Sequence, residues 1–142
     1  MEFYHTTPVQ LRFNDIDMLG HTTNSVYQQY FDLGRMEYIK DVLEEEMNWQ
    51  SEGLILVNIS ISFMSPVKLY DDIEVRTKVI KLGNKSLNMS QQVYNLSTNR
   101  VAAESKAVMV GFNGTKEESI LLPKRWRSKI LAFEKNVETN KP

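Results

Sequence analysis

A chain of 142 residues, 42% hydrophobic and 25% charged, has the length and mix of one globular domain. A formal charge of -1 supplies no bulk attraction to nucleic acid or to an anionic membrane. The absence of cysteine excludes a disulfide scaffold, a thiolate nucleophile and Cys-ligated zinc, and fits a reducing, cytoplasmic compartment.

The opening residues, MEFYHTTPVQ, have no basic and apolar leader, so no signal peptide is expected. No apolar run approaches the roughly 20 residues of a membrane-spanning helix. Val9 to Phe13 alternates Val9, Leu11 and Phe13 with Gln10 and Arg12, the period of a short strand. Asn14 to Gly20 reads as a turn, and Asn24 or Ser25 as a helix N-cap. From Val26 to about Leu43 the spacing is helical. Tyr27, Tyr30, Phe31, Gly34, Tyr38 and Val42 share one face, with Gln28, Asp32, Arg35 and Ile39 opposite. Gly34 in that face costs about 1 kcal/mol relative to alanine, a loss that close packing of the helix backbone on a sheet would offset. Glu44 to Ser51 reads as a short second helix stopped near Gly53.

Leu54 to Phe63 is a strand with Val57, Ile59, Ile61 and Phe63 on one face and Asn58, Ser60 and Ser62 on the other. Strands at Ile73–Leu82, Ser86–Tyr94 and Val101–Phe112 follow, joined by hairpin turns at Gly83-Asn84-Lys85 and Ser97 to Arg100. Pro123 to Phe133 is a terminal helix with Pro123 in its first turn, and the polar tail from Glu134 to Pro142 is expected to fray. The order is strand, helix, then four strands by meander. It predicts an α+β fold, a five-stranded antiparallel sheet wrapped around one long central helix. Residues 1–133 form the single domain and 134–142 the tail.

The ionisable chemistry concentrates between Asp15 and His21. Asp15 and Asp17 are turn residues or caps of the helix N-terminus on one reading. On the other, one carboxylate is a general base or nucleophile beside helix amides that hold an oxyanion. His21 has no second histidine near it in sequence and lacks metal-ligand spacing with the aspartates, so no metal or other cofactor is expected. Serine-nucleophile and phosphate-loop motifs are absent.

The run RFNDIDMLGHTTN from Arg12 to Asn24, with Tyr27, Tyr30-Phe31 and Arg35 after it, resembles the signature of the 4-hydroxybenzoyl-CoA thioesterase-like acyl-CoA thioesterases of the hotdog fold. Ser65-Pro66-Val67-Lys68-Leu69-Tyr70-Asp71-Asp72 and Leu82-Gly83-Asn84-Lys85-Ser86 resemble two further turns of that family. The resemblance implies an acyl-CoA thioesterase with Asp17 as the catalytic carboxylate, nucleophile or general base. The Asn24 N–H is then the oxyanion donor, and Gly20 and His21 belong to the catalytic loop. Tyr27, Ser60, Ser62, Lys85 and Ser86 become candidate substrate contacts, Lys85 being equally a solvated hairpin charge. Phe63, Met64 and Tyr30 are candidate pocket walls. It further implies a homodimer or homotetramer made by edge-to-edge pairing of sheets. Thr22-Thr23 departs from the family's Val-Asn, which bears on substrate choice. An acyl carrier protein thioesterase and a non-catalytic acyl-thioester binder are the alternatives.

Overall fold

Tyr27, Tyr30, Phe31, Gly34 and Tyr38 are all buried on one face of helix α1 (Asn24–Tyr38), as their spacing requires. The structure is a computed structural model and describes residues 1–139. Around α1 curls a sheet of five long antiparallel strands: β1 (His5–Val9), β2 (Gly53–Phe63), β3 (Ile73–Leu82), β4 (Ser86–Asn95) and β5 (Arg100–Asn113). Their order is β1-β3-β4-β5-β2. Two short strands extend it: β6 (Glu118–Ser119) on β5, and β7 (Glu138–Thr139) parallel to β3. Helix α2 (Lys124–Phe133) closes one end with Trp126 and Ile130. The fold is the expected hotdog arrangement of one long helix in a curled antiparallel sheet.

Gly34 sits where helix and sheet approach most closely. A Cβ there would lie 2.5 Å from Val75 Cγ1, 2.8 Å from Gln91 Nε2 and 3.0 Å from Thr77 Oγ1. The close packing anticipated for this glycine is present. Arg35 and Ile39, expected on the outer face, are buried instead, because the sheet wraps more of the helix than a flat one would. Arg35 Nη1 donates to Gln91 Oε1 at 3.0 Å, and its Nη2 pairs with Asp32. Gln91 Nε2 donates to the Phe31 carbonyl and to Thr77 Oγ1, both at 3.0 Å. A satisfied polar cluster therefore lies under α1 at the level of Gly34.

Several boundaries differ from expectation. The first strand is His5–Val9, not Val9–Phe13; Phe13–Asp15 is a 3-10 turn and Phe13 is exposed. Pro8 does not break β1, because β1 is an edge strand. β2 pairs with β5 rather than with β3, so only β3, β4 and β5 form a meander. A register shift between Leu56 and Asn58 makes Val57 a bulge residue, turning it outward while Leu54, Leu56, Ile59 and Ile61 face inward. No helix forms over Glu44 to Ser51. α1 ends in one wide turn, Ile39–Leu43, and stops at Glu44, whose φ is +56°. Pro123 caps α2 rather than entering its first turn. The tail is anchored: buried Glu134 accepts the Tyr38 hydroxyl at 2.7 Å and the Val79 N–H at 3.0 Å, and β7 pairs with Lys81 and Leu82. Residues 140–142 of that tail lie outside the described residues.

Candidate active site

The loop between β1 and α1 is pinned from both sides. Asp15 is buried at its root, accepting the Arg12 N–H at 3.1 Å, Arg12 Nε at 3.1 Å and the Tyr30 hydroxyl at 2.8 Å. Burial would raise the Asp15 carboxyl, but the Arg12 backbone, the Tyr30 hydroxyl and the Arg12 guanidinium outweigh it and hold the group below its ordinary value. Asp15 thus has the structural role, as one of the two readings of the pair requires.

The sign of that shift sets a pH dependence. A carboxyl lowered in the folded state contributes stability that is complete above its unfolded value, about 3.9, and is lost as pH falls through the folded value. Asp15→Asn should destabilise at pH 7 by about 1–3 kcal/mol, the cost of leaving buried donors unsatisfied. The gap from the parent should narrow below pH ~4, as followed by urea unfolding monitored by circular dichroism.

Beyond Asp15 the chain makes a tight loop. The Asp17 N–H donates to the His21 carbonyl at 2.8 Å and the Gly20 N–H to the Asp17 carbonyl at 3.0 Å. Gly20 has φ +78°, the left-handed region that favours glycine, with open space where a Cβ would stand. The Thr22 N–H donates to the Val67 carbonyl at 2.7 Å, and His21 bridges to Lys68, so this loop is tied to the β2–β3 connection. Asp17 is exposed. Its Oδ1 accepts the N–H groups of Leu19 at 2.9 Å and His21 at 3.3 Å, whereas Oδ2 accepts no hydrogen bond among the described residues. One oxygen is engaged by the loop and the other is open among the described residues.

Helix α1 begins without a side-chain cap. Thr23 is the N-cap, in place of the expected Asn24 or Ser25, and makes no capping hydrogen bond. Its carbonyl takes the Val26 N–H at 2.9 Å, while the Asn24 and Ser25 N–H groups find no acceptor among the described residues. Beside them opens a cleft of about 280 Å³ lined by His21, Asn24, Tyr27, Phe63, Met64 and Pro66, among others. Tyr27 and Phe63 meet edge to face across it, 5.3 Å between ring centroids. Uncapped amides carrying the positive end of the helix dipole are suited to an anionic oxygen.

The fold therefore gathers Asp17, Gly20, His21, Asn24 and Tyr27 at one end of the helix; His21, Asn24 and Tyr27 line the cleft with Phe63 and Met64, while Asp17 and Gly20 lie in the adjoining loop, outside its lining. Tyr30 stands behind, bonded to Asp15. Other candidates lie elsewhere in the chain. Ser60 and Ser62 are on the outer face of the sheet, around a small dent shared with Ser90, Glu104 and Lys106. Lys85 and Ser86 are at the β3–β4 hairpin, where Lys85 Nζ reaches Ser119 Oγ at 3.4 Å. Ser86 is seven residues along β4 from Val93, which pairs with the Ala103 that pairs with Phe63. At 3.3 Å per residue that is about 23 Å from the cleft within one chain.

A larger cavity, about 500 Å³, was not expected. Its apolar walls include Met36, Met47, Trp49, Leu54, Leu56 and Met109. Met47 and Trp49 lie in the stretch read as a helix, and helical spacing concealed their common direction.

The Thioesterase-like superfamily matches residues 11–132, nearly the whole domain. The chain belongs to that superfamily. It is similar to a thioesterase of Thermus thermophilus complexed with coenzyme A and Zn, at 28% identity and a TM-score of 0.81 over 93% of this chain and 95% of that one. A 1,4-dihydroxy-2-naphthoyl-CoA thioesterase from Synechocystis shares the fold, with 17% identity and a TM-score of 0.77 over 88% of this chain and 93% of that one. An acyl-acyl carrier protein thioesterase of Arabidopsis thaliana, chloroplastic, is 22% identical over 94% of this chain and 70% of its own length. This thioesterase domain is a thioester hydrolase of the hotdog fold. No helix among the described residues is long and apolar enough to cross a membrane.

Proposed function

We propose that this thioesterase hydrolyses acyl-CoA thioesters, with Asp17 acting on the thioester carbonyl and the Asn24 N–H holding the oxyanion. One observation carries the reading: the exposed Asp17 carboxylate, with one free oxygen, is bonded to the N–H of His21, and His21 lines the cleft beside the unsatisfied helix amides. In the general-base route, Asp17 takes a proton from water as the water oxygen bonds to the carbonyl carbon. The carbonyl oxygen becomes anionic and receives the Asn24 N–H. The tetrahedral intermediate then collapses, the C–S bond breaks, and the CoA thiolate leaves and is protonated. In the nucleophilic route an Asp17 oxygen bonds to the carbonyl carbon, the C–S bond breaks and the CoA thiolate leaves to be protonated, and water then hydrolyses the resulting mixed anhydride to the free acid and the Asp17 carboxylate.

The reading includes a homodimer. β2 has a free long edge, with β5 as its one partner among the described residues, and GLILVNISISF carries no charge and no proline to discourage pairing. Antiparallel pairing of β2 with itself about a twofold axis near its middle would set the Gly53 end of one copy against the Phe63 end of the other. Light scattering on the purified protein should return twice the mass of one chain; a monomer would remove this part of the proposal.

The test of the activity is thiol release from a panel of aliphatic and aryl acyl-CoAs. Turnover on one class names it. The Arabidopsis relative acts on acyl carrier protein thioesters, so the same acyl group on that carrier belongs in the panel. Silence on every thioester, with CoA esters still binding, would leave a binding protein.

A further inference from the structure

Tyr70 is the one aromatic residue with a left-handed backbone among the described residues: its φ is +74°. Glycine is the usual residue at such an angle, and a bulky side chain there is an outlier that strains the fold. Packing does not offset the strain, because Tyr70 is 93% exposed. A strained residue that contributes nothing to the core points to a use outside it.

The local structure holds the ring in place. Lys68 to Asp71 is a tight turn, closed by the Asp71 N–H on the Lys68 carbonyl at 3.0 Å and by the Lys68 N–H on Asp71 Oδ2 at 2.9 Å. Tyr70 is its third residue, the position where a positive φ calls for glycine. Asn95 Nδ2 also donates to Asp71 Oδ2 at 2.9 Å, so the turn is fastened to the end of β4.

The same turn adjoins the catalytic loop. Lys68 bridges to His21, and the Thr22 N–H donates to the Val67 carbonyl at 2.7 Å. Pro66, four residues before Tyr70, lines the cleft. Four residues of chain span at most about 14 Å, so Tyr70 stands near the mouth of the cleft.

The cleft holds about 280 Å³, at the lower end of pockets that enclose a small molecule. Most of a CoA thioester must therefore lie outside it, along the surface. Charge decides which part meets the turn. Lys68 is exposed and forms no ion pair among the described residues, whereas Arg12, at the root of the catalytic loop, is bonded to Asp15 and Gln29. Asp71 beside the ring is engaged by the Lys68 N–H and Asn95. An open aromatic face next to an unpaired ammonium matches a purine joined to phosphate.

We propose that the Tyr70 ring stacks on the adenine of the CoA thioester while Lys68 pairs with a phosphate of the same nucleotide, making this turn a specificity determinant for CoA over carriers that lack the nucleotide. The proposal rests on the acyl-CoA reading and needs no second copy of the chain.

The test has a binding arm and a kinetic arm. In calorimetric titration with free CoA, Tyr70→Gly should weaken binding about fivefold or more, the loss of one stack of a base on an aromatic ring. Tyr70→Trp should bind CoA at least as tightly as the parent. Lys68→Gln should weaken CoA binding by a factor that shrinks as salt is added. The melting temperature of Tyr70→Gly should hold or rise, since the substitution relieves strain and removes no packing. In kinetics, Tyr70→Gly should raise KM for an acyl-CoA by the same factor as the loss of CoA binding, with kcat nearly unchanged, and leave KM for the same acyl group on pantetheine as it was. Unchanged CoA binding, or equal losses on the CoA and pantetheine thioesters, overturns the stack while leaving the thioesterase reading standing. Turnover confined to carrier-protein thioesters, with free CoA unbound, overturns the stack and the CoA substrate class together. CoA binding that is weakened by Tyr70→Gly, with no thioester hydrolysed by the parent, keeps the stack and removes the catalytic reading instead.

Discussion

Asp17→Asn should lower kcat by roughly 10²–10⁴, the range that general acid–base or nucleophilic participation by one side chain supplies. KM should stay within a few-fold, because the substitution removes an interaction made in the transition state rather than in binding. The fold should not suffer. Asp17 organises its loop through Oδ1, which accepts the Leu19 and His21 N–H groups, and an asparagine oxygen can still accept both at this exposed position. The melting temperature of Asp17→Asn should therefore match the parent, whereas Asp17→Ala should lose both loop hydrogen bonds and some stability. Steady-state thiol release and calorimetry on the three proteins separate these contributions. Turnover that survives Asp17→Asn would show that the carboxylate only shapes the loop.

Gly34→Ala should be the most damaging single-methyl change in α1. At an exposed helix position the same substitution would stabilise by up to about 1 kcal/mol. Here the new methyl would sit 2.5 Å from Val75 Cγ1 and 2.8 Å from the amide of Gln91. Val75 is fully buried, and Gln91 is fixed by Arg35, Thr77 and the Phe31 carbonyl, so none of these can retreat cheaply. Overpacking of this kind costs about 1–3 kcal/mol, and a displaced Gln91 adds the penalty of unsatisfied buried groups. A net loss of about 2 kcal/mol corresponds to a fall in melting temperature of roughly 4–10 °C for a domain of this size. Gly34→Leu should not fold. A melting temperature raised by Gly34→Ala would mean that α1 stands further from the sheet than described.

Much of this arrangement was legible in the residues. The apolar face of α1 and the three strands β3, β4 and β5 follow from local periodicity, which any element that buries one side must display. The close approach at Gly34 was visible as an unfavourable helix residue inside an apolar face. Asp17, Gly20 and Asn24 were singled out by the family resemblance of one continuous stretch, which supplies a turn and a helix start. Periodicity did not reveal which strand pairs with which. β2 lies three strands away from its sequence neighbour β3, a choice made by closing the sheet around the helix. The bulge at Val57 inverted the facing of half a strand, because one extra residue shifts a period of two. Arg35 looked like a surface residue until Gln91, 56 residues away, supplied its partner. Glu134 looked like part of a frayed tail until Tyr38 and Val79 bound it. The large cavity has the same origin. Its walls come from α1, an irregular segment, β2 and β5, and no local pattern marks side chains that meet only when distant segments pack.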